Sequence, residues 1–262
     1  AELVTSFNVS TVAQPELTDQ LIEACPVTPG ANTGLFEGIE YVLPSVPAPQ
    51  TLTVEGYYQT FNGAVNGGAT GLISATGDFN YSSSDATIYV RIGHDVDGLP
   101  GIDCYYVGTI ELRVVNRPIV ILTAQDNPAC IYQDVTLTAN VLAGSGSGYT
   151  YAWERVSPDP GAITDATPSV VVTETAPGDY VYRVTVTDPN TGVNGADGPA
   201  CITVADITVS FVGPIITCPA DFTASTDAGA CNTYVNLVPA TVHHVCVDEF
   251  VVRYWVTGAT TI

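Results

Sequence analysis

A short β-type run stopped by proline occurs three times in this chain, at Val9–Pro15 (VSTVAQP), Leu112–Pro118 (LRVVNRP) and Thr208–Pro214 (TVSFVGP). Proline lacks an amide hydrogen and cannot continue a central strand, so each run reads as the closing strand of a folding unit. In the two later copies a cysteine opens the segment, Cys104 and Cys201, and a second strand-like run precedes it, ATIYVRIGHD from Ala86 and YVYRVTVTD from Tyr180. The prolines lie 103 (Pro15 to Pro118) and 96 (Pro118 to Pro214) residues apart. A period near 100 residues means domains strung in series rather than one large core.

The boundaries that follow are 1–14 as the last strand of a preceding repeat, 15–117 and 118–213 as two complete domains, and 214–262 as a truncated third. Within the first, strands are expected at Phe36–Leu43, Leu52–Tyr58, Ala86–Gly93 and Tyr105–Val115, separated by turns rich in Gly and Asn. Glu16–Ala24 reads as a short helical turn. In the second, strands are expected at Val135–Val141, Tyr149–Val156, Ser169–Thr173, Tyr180–Thr187 and Ile202–Phe211, and Gly144–Gly148 (GSGSG) reads as a flexible hairpin loop. Trp153 alternates with Tyr151 and Tyr149, which places the three on one sheet face with Trp153 in a core. The fold class is all-β, with tandem Ig-like β-sandwich domains arranged end to end.

Charge narrows the function classes. Twenty-seven acidic residues face six arginines and no lysine, for a net charge of -21. Such a surface repels phosphate, which argues against nucleic acid and anionic membrane as partners and suits a salty or calcium-containing medium. No run approaches the roughly 18 apolar residues of a membrane span, so direct membrane insertion is not expected. The chain has no methionine, not even at position 1, and no basic-then-apolar leader, which reads as an internal piece of a longer precursor. Seven cysteines without a CxxC pair read as disulfides made outside the cytoplasm.

Cys25 and Cys104 are each the only cysteine in their half of the first domain, which predicts a bond between them closing 79 residues, worth about 4 to 5 kcal/mol in the chain-entropy picture. The second domain repeats the layout with Cys130 and Cys201. Cys218, Cys231 and Cys246 remain.

Candidate chemistry is sparse. His94-Asp95-Val96-Asp97-Gly98, with Asp103 beyond, puts three carboxylates in one loop containing Gly and Pro, the oxygen-rich setting that a hard cation such as calcium requires. The spacing is not that of an EF-hand, and the same aspartates also read as ordinary solvated turn residues. The histidines are His94, His243 and His244, and no Gly-x-Ser-x-Gly elbow is present. Zinc on His243, His244 and Cys246 would need that cysteine as a thiolate, in competition with a disulfide to Cys231. Catalytic residues are therefore not expected. The pairs Tyr57-Tyr58 and Tyr105-Tyr106 would each send one ring inward and one outward, and an outward ring can stack on sugar.

YTYAWERV (149–156) followed by PGDYVYRVTVTD (177–188) resembles the polycystic-kidney-disease-like (PKD-like) and related Ig-like modules. ITCPADFTASTDAGAC (216–231) resembles the hyalin repeat, through its Cys-Pro pair, Asp221 and Asp-Ala-Gly-x-Cys ending, and departs from it at His243-His244-Val245-Cys246. The first domain is similar to TIYVR-containing modules of giant surface adhesins of Bacteroidota exported by the type IX route. In hyalin-like repeats the two inner cysteines pair while the first joins one near the module's end. This resemblance, with the 15-residue spacing, implies a bond between Cys231 and Cys246 and leaves Cys218 unpaired within the segment. It also implies a non-catalytic, cell-surface stalk or filament for attachment, partnered by other domains of the same long chain, by bundling copies, or by a cell-surface or glycan receptor that the sequence does not name. A carbohydrate-binding region of a secreted enzyme is the alternative.

Overall fold

A computed structural model describes residues 12–189, 199–220, 223–231, 233–236, 238–243 and 246. The chain is all-β and built as sandwiches, with one short helix among the described residues. It divides into two compact units, the first comprising 1–119, 141–149 and 186–203, the second 120–140, 150–185 and 204–262.

Seven strands belong to the first unit: β1 (Gln20–Ala24), β2 (Gly34–Ile39), β3 (Thr51–Tyr58), β4 (Leu72–Ser74), β5 (Phe79–Ser83), β6 (Ala86–Asp95) and β7 (Cys104–Val114), with helix α1 (Phe61–Asn66) between β3 and β4. They form a five-stranded sheet in the order β1-β7-β6-β3-β4 and a two-stranded sheet β2-β5. Alternation along β6 and β7 turns Ile88, Val90, Ile92, Ile110 and Leu112 to one face, all 0 or 1% exposed, where they meet Phe36 and Ile39 of the small sheet. Tyr57 completes this core with an edge-on contact to Phe79, centroids 5.0 Å apart.

The segment expected to make a helical turn, Glu16–Ala24, instead supplies β1, which pairs parallel to β7 from Gln20 opposite Ile110 to Ala24 opposite Val114. A nine-residue helix cannot pay its nucleation cost alone, whereas an extended Leu17, Ile22 and Ala24 add apolar area to a core already formed. The helix that does form, α1, starts where the Thr60 hydroxyl accepts from the Gly63 amide at 3.1 Å and stops at Gly67, whose φ of +67° ends the turn. It lies over Tyr58, which is thereby 3% exposed, while Tyr57 on the core side is 1% exposed. The expectation that one of these rings faces outward is corrected by that cover.

The later strands are β8 (Ile119–Ala124), β9 (Ala129–Cys130), β10 (Val135–Ala143), β11 (Thr150–Ser157), β12 (Gly161–Ile163), β13 (Ser169–Val172), β14 (Gly178–Asp188) and β15 (Cys201–Val212), in sheets ordered β13-β10-β8 and β12-β11-β14-β15-β9. β14 alternates without a break, burying Tyr180, Tyr182, Val184 and Val186. Trp153 of β11 is 2% exposed, the core tryptophan that its strand pattern implies, and its indole nitrogen donates to the Thr167 carbonyl at 2.9 Å. Tyr149 lies one residue before β11. The GSGSG stretch leads from a strand of one sheet to a strand of the other and is not a hairpin. It is also held: the Ser145 amide and hydroxyl donate to Asp188 at 2.7 and 2.6 Å, and the Gly146 amide donates to the Tyr149 hydroxyl at 2.8 Å. Beyond β15 a two-stranded ribbon pairs β16 (Ile215–Thr217) with β17 (Thr241–His243). The strand expected before Gln14 lies almost wholly outside the described residues, as do Asp221 and His244 of the hyalin-like segment.

The cysteines pair otherwise than their spacing suggests. Cys25 bonds Cys201, across 176 residues, and Cys130 bonds Cys246, across 116. Cys104, Cys218 and Cys231 are free and exposed. The expected Cys25–Cys104, Cys130–Cys201 and Cys231–Cys246 bonds are therefore replaced. Cys25 follows β1, and Cys104 stands at the far end of β7, opposite His94. β1 meets β7 near the other end, with Ala24 opposite Val114, ten residues along the strand from Cys104. At about 3.3 Å per strand residue that separation is far beyond the reach of a disulfide.

Candidate functional site

The β6–β7 hairpin carries the acidic loop. Its base is closed by the Asp103 amide donating to the His94 carbonyl at 3.0 Å. Asp95 then folds the chain over its own carboxylate: Oδ1 accepts from the amides of Asp97 (3.2 Å) and Gly98 (2.8 Å), an Asx-type turn that Gly98 completes at φ +73°. Asp97 Oδ1 accepts from Leu99 at 2.9 Å, and Asp103 Oδ2 accepts from Val96 at 2.8 Å. One carboxylate oxygen from each of Asp95, Asp97 and Asp103 lies within 4.8 Å of the others. The three residues singled out by composition are thus brought together, two of them exposed and Asp95 half-buried. Among the described residues no arginine pairs with them. Carboxylates so close repel one another, and a divalent cation would relieve that repulsion with oxygen ligands.

Beneath the loop, His94 is fully buried. Its Nε2 lies 3.1 Å from Gln50 Oε1, its ring tilts against Tyr106 at 5.8 Å, and its Nδ1 has no hydrogen-bond partner among the described residues. A histidine sealed from solvent cannot exchange protons with a substrate, which fits a packing role. His243 sits in β17, opposite Ile215. Cys246, needed for a zinc site with His243 and His244, is committed to Cys130 and offers no thiolate.

Tyr105 is the outward ring of its pair, 48% exposed, while Tyr106 turns inward to His94. The face of Tyr105 is already taken. The Arg91 guanidinium lies 3.5 Å from its ring centroid and donates to the Ala64 and Val65 carbonyls at the end of α1, at 2.9 and 2.6 Å. A sugar stacking there would have to displace that arginine.

In the second unit a buried ionic cluster went unnoticed in the sequence. Glu174, 9% exposed, accepts two bonds from Arg155 at 2.9 and 3.1 Å and one from the Tyr182 hydroxyl at 2.7 Å. Burial pushes the Tyr182 phenol far above its usual range, and the neighbouring Glu174 carboxylate adds to the shift. A shallow cavity of about 210 Å³ opens over this cluster, lined also by Ile163 and Val172. Only the acidic residue just after the apolar β13 hinted at it. On the surface, Arg183 grips Asp206 with two bonds of 2.7 and 2.9 Å, which holds that carboxyl below its usual range.

Residues 129–204 match the family model of a PKD domain. No curated protein matches the sequence. Among solved structures, the chain is similar to the three N-terminal domains of the Highly Immunogenic Outer Capsid protein (Hoc) of bacteriophage RB49, at TM-score 0.32 and 11% identity over 77% of this chain and 58% of that one. It is similar also to the N-terminal four Ig domains of Dscam1 isoform 6.9, at TM-score 0.27 and 10% identity over 77% of this chain and 45% of that one. The amphioxus IgVJ-C2 molecule aligns at TM-score 0.26 and 11% identity, over 72% of this chain and 99% of that one. The chain thus spans about half the length of the first two.

Proposed function

We propose that this chain is a non-catalytic stalk segment of a large extracellular multidomain adhesin or cell-surface filament. The observation that carries the reading is a PKD-matched segment, 129–204, in an all-β chain that holds two disulfides, Cys25–Cys201 and Cys130–Cys246. Bonds of this kind form and persist in oxidising compartments outside the cytoplasm. Sandwich domains in series are suited to spanning distance. The hyalin-like ending and the TIYVR segment support the finer reading, a giant adhesin of the Bacteroidota type on the type IX route, with domains at 15–117, 118–213 and a truncated one from 214. Its partners are then neighbouring domains of the same chain and bundling copies, with a receptor bound elsewhere along the filament.

Intact cells producing the parent protein should be labelled by antibody raised against this segment, and brief trypsin treatment of those cells should remove the label. Label that appears only after permeabilisation sinks the reading. On a glycan array the purified segment should show no strong ligand, and a sub-micromolar sugar would instead support the carbohydrate-binding alternative. Calcium at the Asp95, Asp97 and Asp103 loop belongs to the same proposal, as a stiffener of the β6–β7 hairpin. Millimolar calcium should raise the melting temperature by a few degrees, on the order of 1 kcal/mol, and Asp97→Ala should abolish the rise. Equal melting curves with and without calcium would remove the ion from the account.

A further inference from the structure

We infer that the two disulfides interlace into a graded force bypass, in which tension passing from Cys25 to Cys246 skips residues 26–200. The inference rests on the stalk reading for its purpose, since a stalk is a part that bears tension, but its geometry rests on connectivity alone. The bridges overlap in sequence: 25 to 201 encloses 130, and 130 to 246 encloses 201. Four covalent routes of different length therefore join Cys25 to Cys246.

The shortest route crosses the Cys25–Cys201 bond and follows the chain for 45 residues (246 minus 201). The second follows the chain for 105 residues (130 minus 25) and crosses Cys130–Cys246. A third crosses both bonds through the 71 residues between them (201 minus 130), and the longest is the bare chain of 221 residues (246 minus 25). When the molecule is pulled the shortest route becomes taut first and the others stay slack. At about 3.6 Å per extended residue, it stops at ~160 Å, against ~800 Å for the unbridged chain. All of 26–117 lies on the slack side, so the acidic loop is off the loaded path, and β1, before Cys25, is the part of the first sheet that stays on it.

The first bridge is flanked by hydrogen bonds within the first unit. Arg117, between β7 and β8, donates through Nε to the Ile202 carbonyl at 2.7 Å and through Nη1 to the carbonyls of Pro26 and Val27 at 3.1 and 2.9 Å, so it clasps the residues following each half-cystine. The Thr203 hydroxyl, 4% exposed at the residue level, donates to the Pro118 carbonyl at 2.6 Å. These bonds hold Cys25 and Cys201 in register while the load crosses their sulfurs. The second bridge lies off the taut route and acts only when the first is open, which makes it a reserve stop. Opening either bond takes two electrons and two protons and yields two thiols; dithiothreitol supplies both and is itself oxidised to its cyclic disulfide.

The test holds the 262-residue chain by enzymatically attached handles at its two ends in optical tweezers, with the free thiols alkylated beforehand, and reads the fully extended length. The span between positions 25 and 246 should be 45 residues for the oxidised chain. It should be 105 residues for Cys25→Ser with Cys201→Ser, and 221 residues in dithiothreitol. Cys130→Ser with Cys246→Ser should leave it at 45. Extended length does not depend on how well a variant refolds, and peptide mapping under non-reducing conditions identifies the bond each variant retains. An oxidised span of 71 residues, made of 26 from Cys104 to Cys130 and 45 from Cys201 to Cys246, would mean bonds confined within each sandwich and would overturn the inference. So would a lengthening on removal of Cys130 and Cys246 alone. Failure in the tweezers would leave surface labelling untouched, and loss of surface labelling would leave the connectivity standing.

Discussion

Tyr182 shows how much one buried hydroxyl can make of a protein's pH response. Its ring is 1% exposed and its hydroxyl is given to Glu174, so the folded state holds the phenolic proton well past the point where an unfolded tyrosine releases it. Below pH of about 10 both states keep the proton and stability does not change with pH on this account. Above it the folded state binds more protons than the unfolded one, so stability falls as pH rises, by about 1.4 kcal/mol per pH unit for one such group. The advantage of the wild type over Tyr182→Phe in urea denaturation should therefore shrink by about 1 kcal/mol between pH 10 and 11. A constant difference would place the phenol in contact with water. Aromatic alternation in YVYRVTVTD made the inward ring of Tyr182 legible, but Glu174 and Arg155 lie 8 and 27 residues away, and no local pattern joins the three.

At the level of elements, propensity and alternation located β3, β6, β7, β10, β14 and β15, because each buries one face and period-two patterning records burial directly. β1 escaped, since its choice of strand over helix is made by the edge of β7 that receives it. A second decision by packing is Gly108, in the middle of β7. A Cβ there would sit 2.7 Å from Cζ of Tyr41. Tyr41 cannot retreat, because its hydroxyl donates to the Thr18 carbonyl at 2.9 Å and its amide donates to the Tyr57 hydroxyl at 3.0 Å. Gly108→Ala should cost roughly 1 to 3 kcal/mol as a lowered urea midpoint with an unchanged slope. An unchanged midpoint would mean that the loop bearing Tyr41 yields. The acidic loop is the opposite case: Asp95, Asp97 and Asp103 were found from sequence because turn chemistry is local, and a hairpin brings together residues that are already neighbours in the chain.

Across the whole molecule the division follows the range of each interaction. The sequence by itself determined the all-β class, the PKD-like segment now matched over 129–204, the core tryptophan and the acidic loop, because each is written within a few residues. Only the tertiary structure decided which cysteines bond, which tyrosines are covered, and which charge is buried. Disulfide choice is the sharpest instance. Counting one pair per domain assumes that each sandwich closes on itself, while the actual partners are set by where β1 ends and where β15 begins in space. Seven cysteines allow many pairings of nearly equal chain entropy, and a bond forms only where folding brings two sulfurs within reach, a distance that no spacing along the chain encodes.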